Sequence, residues 1–268
     1  MTPIDFERFR KMLGNEYSFD ELFSDVKRED DFTLFYNKYF SDDPIFNHAV
    51  VSEKIMDSGD PSEEKILDVL ANIKSAASGK QVPASIFVEE FWRHARKFEG
   101  AAVEFGFRVI EKMEIMSKVI GDSVMPVSGQ IFVDETKDIE KWNATFVRSF
   151  GIVDTWRPEL RSRGKLIVEN SSTVLLLARE KEISAEASGC SLLHFFPEGL
   201  VGVYCVGTVP ERRFKGVARS LMLKAESIAK QRKSNLILLQ TLASDGVFPM
   251  YQKMGYGIDF ERIVMQAS

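Results

Sequence analysis

Val206-Gly207-Thr208-Val209-Pro210-Glu211-Arg212-Arg213-Phe214-Lys215-Gly216-Val217-Ala218-Arg219-Ser220 is the stretch on which the fold turns. An apolar, strand-like run beginning at Leu200 stops at Pro210, and a basic turn bearing Gly216 follows. Apolar residues then recur at Val217, Leu221, Ala225, Ile228 and Ala229, the spacing of one face of a helix. The order is strand, turn, helix. In such a turn the loop N–H groups and the unpaired amides of the first helical turn converge, and the helix dipole adds roughly half a positive charge there. That point attracts phosphate.

Working outward, Leu236 to Thr241 reads as a buried strand, and Val247-Phe248-Pro249-Met250-Tyr251-Gln252-Lys253-Met254-Gly255-Tyr256 places a tyrosine four residues before a glycine. Arg213-x-x-Gly216-x-Ala218 resembles the (Gln/Arg)-x-x-Gly-x-(Gly/Ala) diphosphate-binding signature of the GNAT superfamily of N-acetyltransferases. Tyr251-x-x-x-Gly255-Tyr256 resembles that family's second signature, and the two stand in the family's order, about 30 residues apart across a helix and a strand. The resemblance implies an α+β fold with a mixed sheet, the GNAT acyl-CoA N-acyltransferase fold, with acetyl-CoA as co-substrate and an amine, small molecule or peptide, as acceptor. It implies that the backbone of Val206, Gly207 and Thr208 pairs with the pantetheine arm and polarises the thioester carbonyl. Arg213, Phe214, Lys215, Gly216, Val217, Ala218 and Arg219 would then seat the diphosphate, with Lys215 and Arg219 adding charge at the rim, and Ser244 is counted with the cofactor-binding residues. Tyr251 is the expected general acid, because a phenol stays protonated at neutral pH and can donate to a departing thiolate.

Some positions depart from the family's pattern. Phe214 stands where a small residue is common; Ser244 and Val247 occupy the places of an Asn and an Ala often seen seven and four residues before the tyrosine; Pro249 is placed to end or kink the short helix that carries Tyr251. No general base is singled out: Glu211, Tyr204, His194 and Glu198 are all near the organising strand in sequence.

The composition narrows the remaining classes. With 44% apolar and 28% charged residues in 268, the chain is ordinary for a soluble globular protein and long enough for one large core or two modest ones. No apolar run approaches the about 18 to 20 residues that span a bilayer, and Met1 to Arg8 lacks the order of a signal peptide, so a cytoplasmic location is expected. Cys190 and Cys205 sit inside apolar segments and read as core residues, and the three histidines are isolated, without metal-ligand spacing. Residues 1–122 hold 16 Lys/Arg against 24 Asp/Glu, whereas residues 123–268 hold 19 against 16. A polyanionic cofactor suits the second part better, and without a basic stripe or interleaved aromatics nucleic acid is not an expected partner.

In chain order, Thr2-Pro3 and the apolar residues after it suggest a short helix ending at Gly14, a second from Ser18, and a third near Asp30 carrying Phe32, Leu34, Phe35, Tyr36 and Phe40. Asn47 to Val51 opens a strand, and Asp60-Pro61-Ser62-Glu63 reads as a capping box starting a helix. Its acidic residues exclude a second diphosphate loop there. Ala84 to Val88 (strand), Glu90 to Glu104 (helix) and Gly106 to Ile115 (turn and strand) mirror the end of the chain, but Ala102 stands four residues before Gly106 where Tyr251 precedes Gly255. Residues 1–122 therefore read as a degenerate copy of the fold, without the cofactor loop, helping to wall the acceptor cleft; residues 123–268 read as the catalytic domain, after a linker at Gly121 to Pro126. There, strands are expected at Gln130 to Val133, Thr173 to Ala178, Ile183 to Ser188 and Cys190 to Phe196, and a helix at Asp138 to Phe150. A non-catalytic acyl-CoA sensor of the same fold, and an interaction protein with no coenzyme A site, are the competing readings.

Overall fold

The computed structural model describes residues 6–41, 43–121, 131–180 and 186–268. The elements in order are α1 (Phe6–Phe23), β1 (Asp25–Arg28), β2 (Phe32–Tyr36), β3 (His48–Val51), α2 (Glu53–Met56), α3 (Glu63–Gly79), β4 (Ser85–Glu89), α4 (Ala95–Glu104) and β5 (Phe107–Val119). They continue with β6 (Ile131–Thr136), α5 (Ile139–Phe150), α6 (Arg157–Glu169), β7 (Thr173–Glu180), β8 (Gly189–Phe196), β9 (Leu200–Thr208), α7 (Val217–Gln231), β10 (Leu236–Leu242), α8 (Phe248–Lys253) and β11 (Gly257–Ala267). Phe23–Met116 and Gln240–Ser268 make one compact unit; Glu7–Leu22 and Ser117–Leu239 make the other. The units are thus interleaved in sequence rather than divided once near residue 122: most of α1 groups with the second, and the last 29 residues, from Gln240 on, group with the first.

In the first unit β1, β2 and β3 pair antiparallel in succession, β3 pairs with β4 in parallel, and β11 pairs antiparallel with β4, from Arg262 opposite Glu89 to Gln266 opposite Ser85. This pairing is what draws the end of the chain into the unit. Its core includes Leu34, Phe35, Phe40, Ile66, Leu70, Ile73, Phe87 and Phe98, all buried. At the β4–β11 pair a buried Arg262 donates through Nε to Glu89 Oε1 at 3.0 Å, and the Trp92 indole donates to the other carboxylate oxygen at 3.1 Å. Satisfying both oxygens lets a carboxylate sit in an apolar core. His48 stacks on Phe87 with ring centroids 3.8 Å apart, and burial pushes its imidazole down to about 3.

In the second unit β6, β7, β8 and β9 pair antiparallel in order, and β10 pairs with β9 in parallel. Helix α5 is built by local rules: Asp138 caps it by accepting from the Lys141 N–H at 3.0 Å, Trp142 and Phe146 bury one face, and Gly151 ends it at φ +66°. Helix α7 lays Val217, Leu221, Ala225 and Ile228 against the sheet, as the spacing predicts.

Several expectations change. The two short helices before residue 24 are one helix, α1, running through Gly14. A Cβ at Gly14 would lie 3.1 Å from the ring of Phe196, so the glycine is a packing residue and not a stop. The aromatic run after Asp30 is strand β2, with Phe32, Leu34 and Phe35 buried, because contiguous aromatic and β-branched residues favour a pleated surface over a helix. The cap of α3 is Ser62, which accepts from the Lys65 N–H at 3.1 Å, and not Asp60. Helix α4 starts at Ala95 rather than Glu90. Pro249 sits in the first turn of α8, where a missing N–H costs nothing, and does not kink it. The Thr2-Pro3 cap, most of the Gly121 to Pro126 linker and most of the strand expected at Ile183 to Ser188 lie outside the described residues; Glu186 to Ser188 are not in a strand.

Candidate functional site: an amide cradle and a strand edge

Two features of the second unit create the site. The first is a strand edge. The parallel pairing of β9 with β10 runs from Leu200 opposite Leu236 to Val203 opposite Leu239; beyond it, among the described residues, the ladder partners of Tyr204, Gly207 and Thr208 are Leu192, Cys190 and Gly189 on β8. Within that stretch β9 carries a bulge: Cys190 faces Gly207 and Leu192 faces Tyr204, leaving Cys205 and Val206 opposite the single residue Ser191. Cys205 takes φ +54°, and Ser191's carbonyl turns to accept the Trp142 indole N–H at 3.0 Å. A bulge twists a strand and re-aims its backbone groups. Gly207 is fixed by close approach, since a Cβ there would come within 2.6 Å of Ser149 Cβ and 2.7 Å of the Phe150 ring.

The second feature is the turn into α7. Glu211 and Arg213 to Gly216 are exposed, and Gly216, at φ +85°, is the N-cap residue of α7, with no side chain capping the helix and no acidic residue in its first turn. Ser220 makes the first helical bond, to the Gly216 carbonyl at 2.9 Å. Among the described residues the amides of Phe214, Lys215 and Gly216 make no backbone hydrogen bond, and those of Val217 and Ala218 lie in the first turn, where a helix offers no acceptor. Helix α3 in the first unit is the counter-example: Ser62 occupies an amide, and Glu63 and Glu64 place negative charge in the first turn. The sequence-based exclusion of a diphosphate loop there rests on the same residues.

Side chains set the turn rather than fill it. Arg213 donates from Nη2 to the Ser149 carbonyl at 3.0 Å and from Nε to the Thr208 carbonyl at 3.4 Å, fastening the loop to the ends of α5 and β9. Its guanidinium therefore staples the turn. Arg212 faces Glu180 at 3.5 Å, and Arg148 bridges Glu186 and Glu211. Lys215 is exposed and has no ion-pair partner among the described residues, so its charge is available at the mouth of the turn. Phe214 is fully exposed at φ +64°, an unusual backbone state for an aromatic residue.

Residues 134–258 match the Acetyltransferase (GNAT) domain family. The fold is the GNAT fold. Over the whole chain, the structure is similar to a GCN5-related N-acetyltransferase from Kribbella flavida, with a TM-score of 0.71 at 15% identity, covering 100% of this chain and 96% of that one. It is similar to a GCN5-related N-acetyltransferase from Sphaerobacter thermophilus, with a TM-score of 0.65 at 13% identity over 90% and 81% of the two chains. A tandem GNAT protein from the clavulanic acid biosynthesis pathway gives 0.62 at 11% identity over 88% and 78%. No curated protein matches the sequence. The matches of full length include the first part of the chain in the GNAT fold, as its order of elements suggested.

The GNAT signatures fall in both units. Val206 to Thr208 and Arg213 to Arg219 belong to the second, Ser244 and Tyr251 to the first. Tyr251 is 6% exposed, its ring edge-on to Tyr256, and burial together with the charge of Asp245 pushes its phenol up to about 12. Ser244's hydroxyl is engaged by Glu111. The four candidate bases are all occupied. His194 is buried, with Nε2 2.9 Å from Ser18 Oγ, and burial pushes it down to about 4. The Tyr204 hydroxyl donates to Asn15 at 2.7 Å, Glu198 pairs with Lys11 at 2.6 Å, and Glu211 pairs with Arg148. Burial pushes both thiols up, Cys205 to about 12, which keeps them protonated and unreactive. Sequence reasoning gave no site contact to Asn15, Trp142 or Ser149, which touch Tyr204, the Ser191 carbonyl and Arg213 and lie far from them in sequence.

Proposed function

We propose that this protein is an acetyl-CoA-dependent N-acetyltransferase acting on an amine. The observation that carries the proposal is the exposed turn at Phe214 to Gly216, whose amides have no backbone partner among the described residues and which opens a helix with no side-chain cap, in a chain with the GNAT fold. Acyl-CoA is an anion with a diphosphate, and such amides with a helix dipole behind them are a complement to it. The edge of β9 from Val206 to Thr208, which has no β10 ladder partner among the described residues, supports the second half of the reading, pantetheine added as a strand along Val206, Gly207 and Thr208.

In the proposed reaction a neutral amine nitrogen attacks the thioester carbonyl carbon. The N–C bond forms, the C–S bond breaks, and the thiolate takes the proton of Tyr251. Burial of Tyr251 keeps the phenol protonated across the physiological range, so the proton is present when the thiolate departs, and the phenolate left behind regains a proton from water. The proton lost by the amine goes to water, in keeping with the engagement of every side chain weighed as a base. That engagement also favours a second reading, in which the protein binds acyl-CoA without turnover. Titration calorimetry with acetyl-CoA, run beside thiol release over a panel of primary amines, separates the two. Binding with release supports the transferase, binding without release from any amine supports the sensor, and absence of binding overturns both.

A further inference from the structure

We infer that Asn15, on a helix nearly two hundred residues from the cofactor strand in sequence, is a positioning residue that locks the bulge presenting Val206 to Thr208 to the acyl donor. The inference rests on the acetyl-CoA reading above. Asn15 is completely buried, and both ends of its amide are used. Nδ2 donates to the His194 carbonyl on β8 at 3.0 Å, and Oδ1 accepts from the Tyr204 hydroxyl on β9 at 2.7 Å. One side chain therefore spans two adjacent strands immediately before the bulge, where His194 faces Gly202 and Leu192 faces Tyr204.

The surroundings are shaped for this contact. A Cβ at Gly202 would lie 2.3 Å from Asn15 Oδ1 and 2.3 Å from the Tyr204 ring, so only glycine leaves room for the amide and the phenol together. Phe19, one turn along α1, stacks flat on Tyr204 with centroids 3.7 Å apart and ring planes within 5°. Tyr204 is thus held by its face and by its hydroxyl. The next residue, Cys205, is in a left-handed conformation that a non-glycine residue keeps only where its neighbours enforce it. A strand with an extra residue can also slip register. Trp142 holds the β8 side of the bulge through the Ser191 carbonyl, and Asn15 holds the β9 side through Tyr204. Releasing Tyr204 lets β9 slide by the one residue that separates a bulged from a regular ladder, which turns the Val206 to Thr208 backbone away from the donor.

The test compares Asn15→Ala, Tyr204→Phe, the double variant and Ser18→Ala by acetyl-CoA titration, with thermal unfolding measured alongside. Tyr204→Phe removes the hydrogen bond but keeps the stack on Phe19, and so stays folded even where Asn15→Ala does not. Ser18→Ala removes a different anchor of the same helix, its contact with His194, and controls for loosening of α1 as such. The expected result is a Kd about tenfold weaker for Asn15→Ala and for Tyr204→Phe, no further loss in the double variant, and a change under twofold for Ser18→Ala. A Kd within twofold of wild type for Tyr204→Phe, or losses that add in the double variant, overturns the inference while leaving the acetyl-CoA reading intact. Should wild type bind no acetyl-CoA, that reading fails, and the lock is decided by amide hydrogen exchange. Gly207 and Val209, whose amides face β8, should exchange at least tenfold faster in Tyr204→Phe than in Ser18→Ala, and equal rates overturn it.

Discussion

Replacing Gly216 with alanine isolates the backbone of the cradle from everything else near it. Apart from its chain neighbours, no atom of the described residues lies within 4 Å of the position a Cβ would take, so the substitution meets no steric obstacle among them. The cost is conformational: at φ +85° an alanine is disfavoured by roughly 1–2 kcal/mol. If the loop held its shape, that cost would appear as a fall in Tm of about 2–8 °C. The turn is exposed and makes few contacts, so it relaxes instead, and residue 216 moves toward the right-handed region. That rotation re-aims the amides on both sides of residue 216. Hydrogen bonds from amides to a charged group contribute about 1.5–3 kcal/mol each, and losing one weakens acetyl-CoA by about tenfold or more. The expected pair of results is a Tm drop of no more than a few degrees and a Kd raised at least tenfold, read by thermal unfolding and calorimetry on one preparation. An unchanged Kd beside a fall in Tm would show that the turn's amides do not hold the donor, and the reasoning would fail.

Tyr251→Phe should lower kcat by about a hundredfold or more while leaving the acetyl-CoA Kd nearly unchanged; equal turnover removes the phenol from the mechanism. The same substitution should flatten the loss of stability between pH about 10 and about 12, since a phenol raised by burial keeps its proton longer folded than unfolded and favours the folded state less as pH climbs through that window. His48 and His194 are held neutral, at about 3 and about 4, so the unfolded chain takes up protons first and stability falls as pH drops below about 6.5. Unfolding of His48→Phe, which keeps the stack on Phe87, should show a shallower acid limb than wild type, and identical slopes would contradict the assignment. Glu89→Ala removes the carboxylate that accepts from Arg262 Nε and from the Trp92 indole and should cost about 3–5 kcal/mol in denaturant unfolding; a loss under 1 kcal/mol would show that the pair is solvated.

The site was legible where its chemistry is local. Strand β9, the turn, and α7 lie within some thirty consecutive residues, and the proline, the glycine and the helix-spaced apolar face each report their own backbone state. The same was true of α5, β7 and β8. Misreadings came where a distant partner decides the outcome. Gly14 reads as a helix end until the Phe196 ring beside it is seen, and the aromatic cluster after Asp30 has a strand's chemistry but a helix's crowding. Arg213 stands at a position that resembles a phosphate signature, and the contacts of its guanidinium with the Ser149 and Thr208 carbonyls are of the kind no sequence spacing reveals. The interleaving of the two compact units was equally hidden, because it depends on β11 finding β4 and on Asn15 and Phe19 finding Tyr204 across long separations.

The central claim is that main-chain amides from Phe214 to Ala218 receive the diphosphate of the acyl donor. Backbone amide NMR of the intact protein, titrated in parallel with acetyl-CoA, with ADP and with S-acetylpantetheine, tests it at the atoms concerned. The predicted result is that acetyl-CoA and ADP both shift the signals of residues 214–218 most strongly, whereas S-acetylpantetheine leaves them in place. Shifts confined to other residues, or no response to ADP, would contradict it.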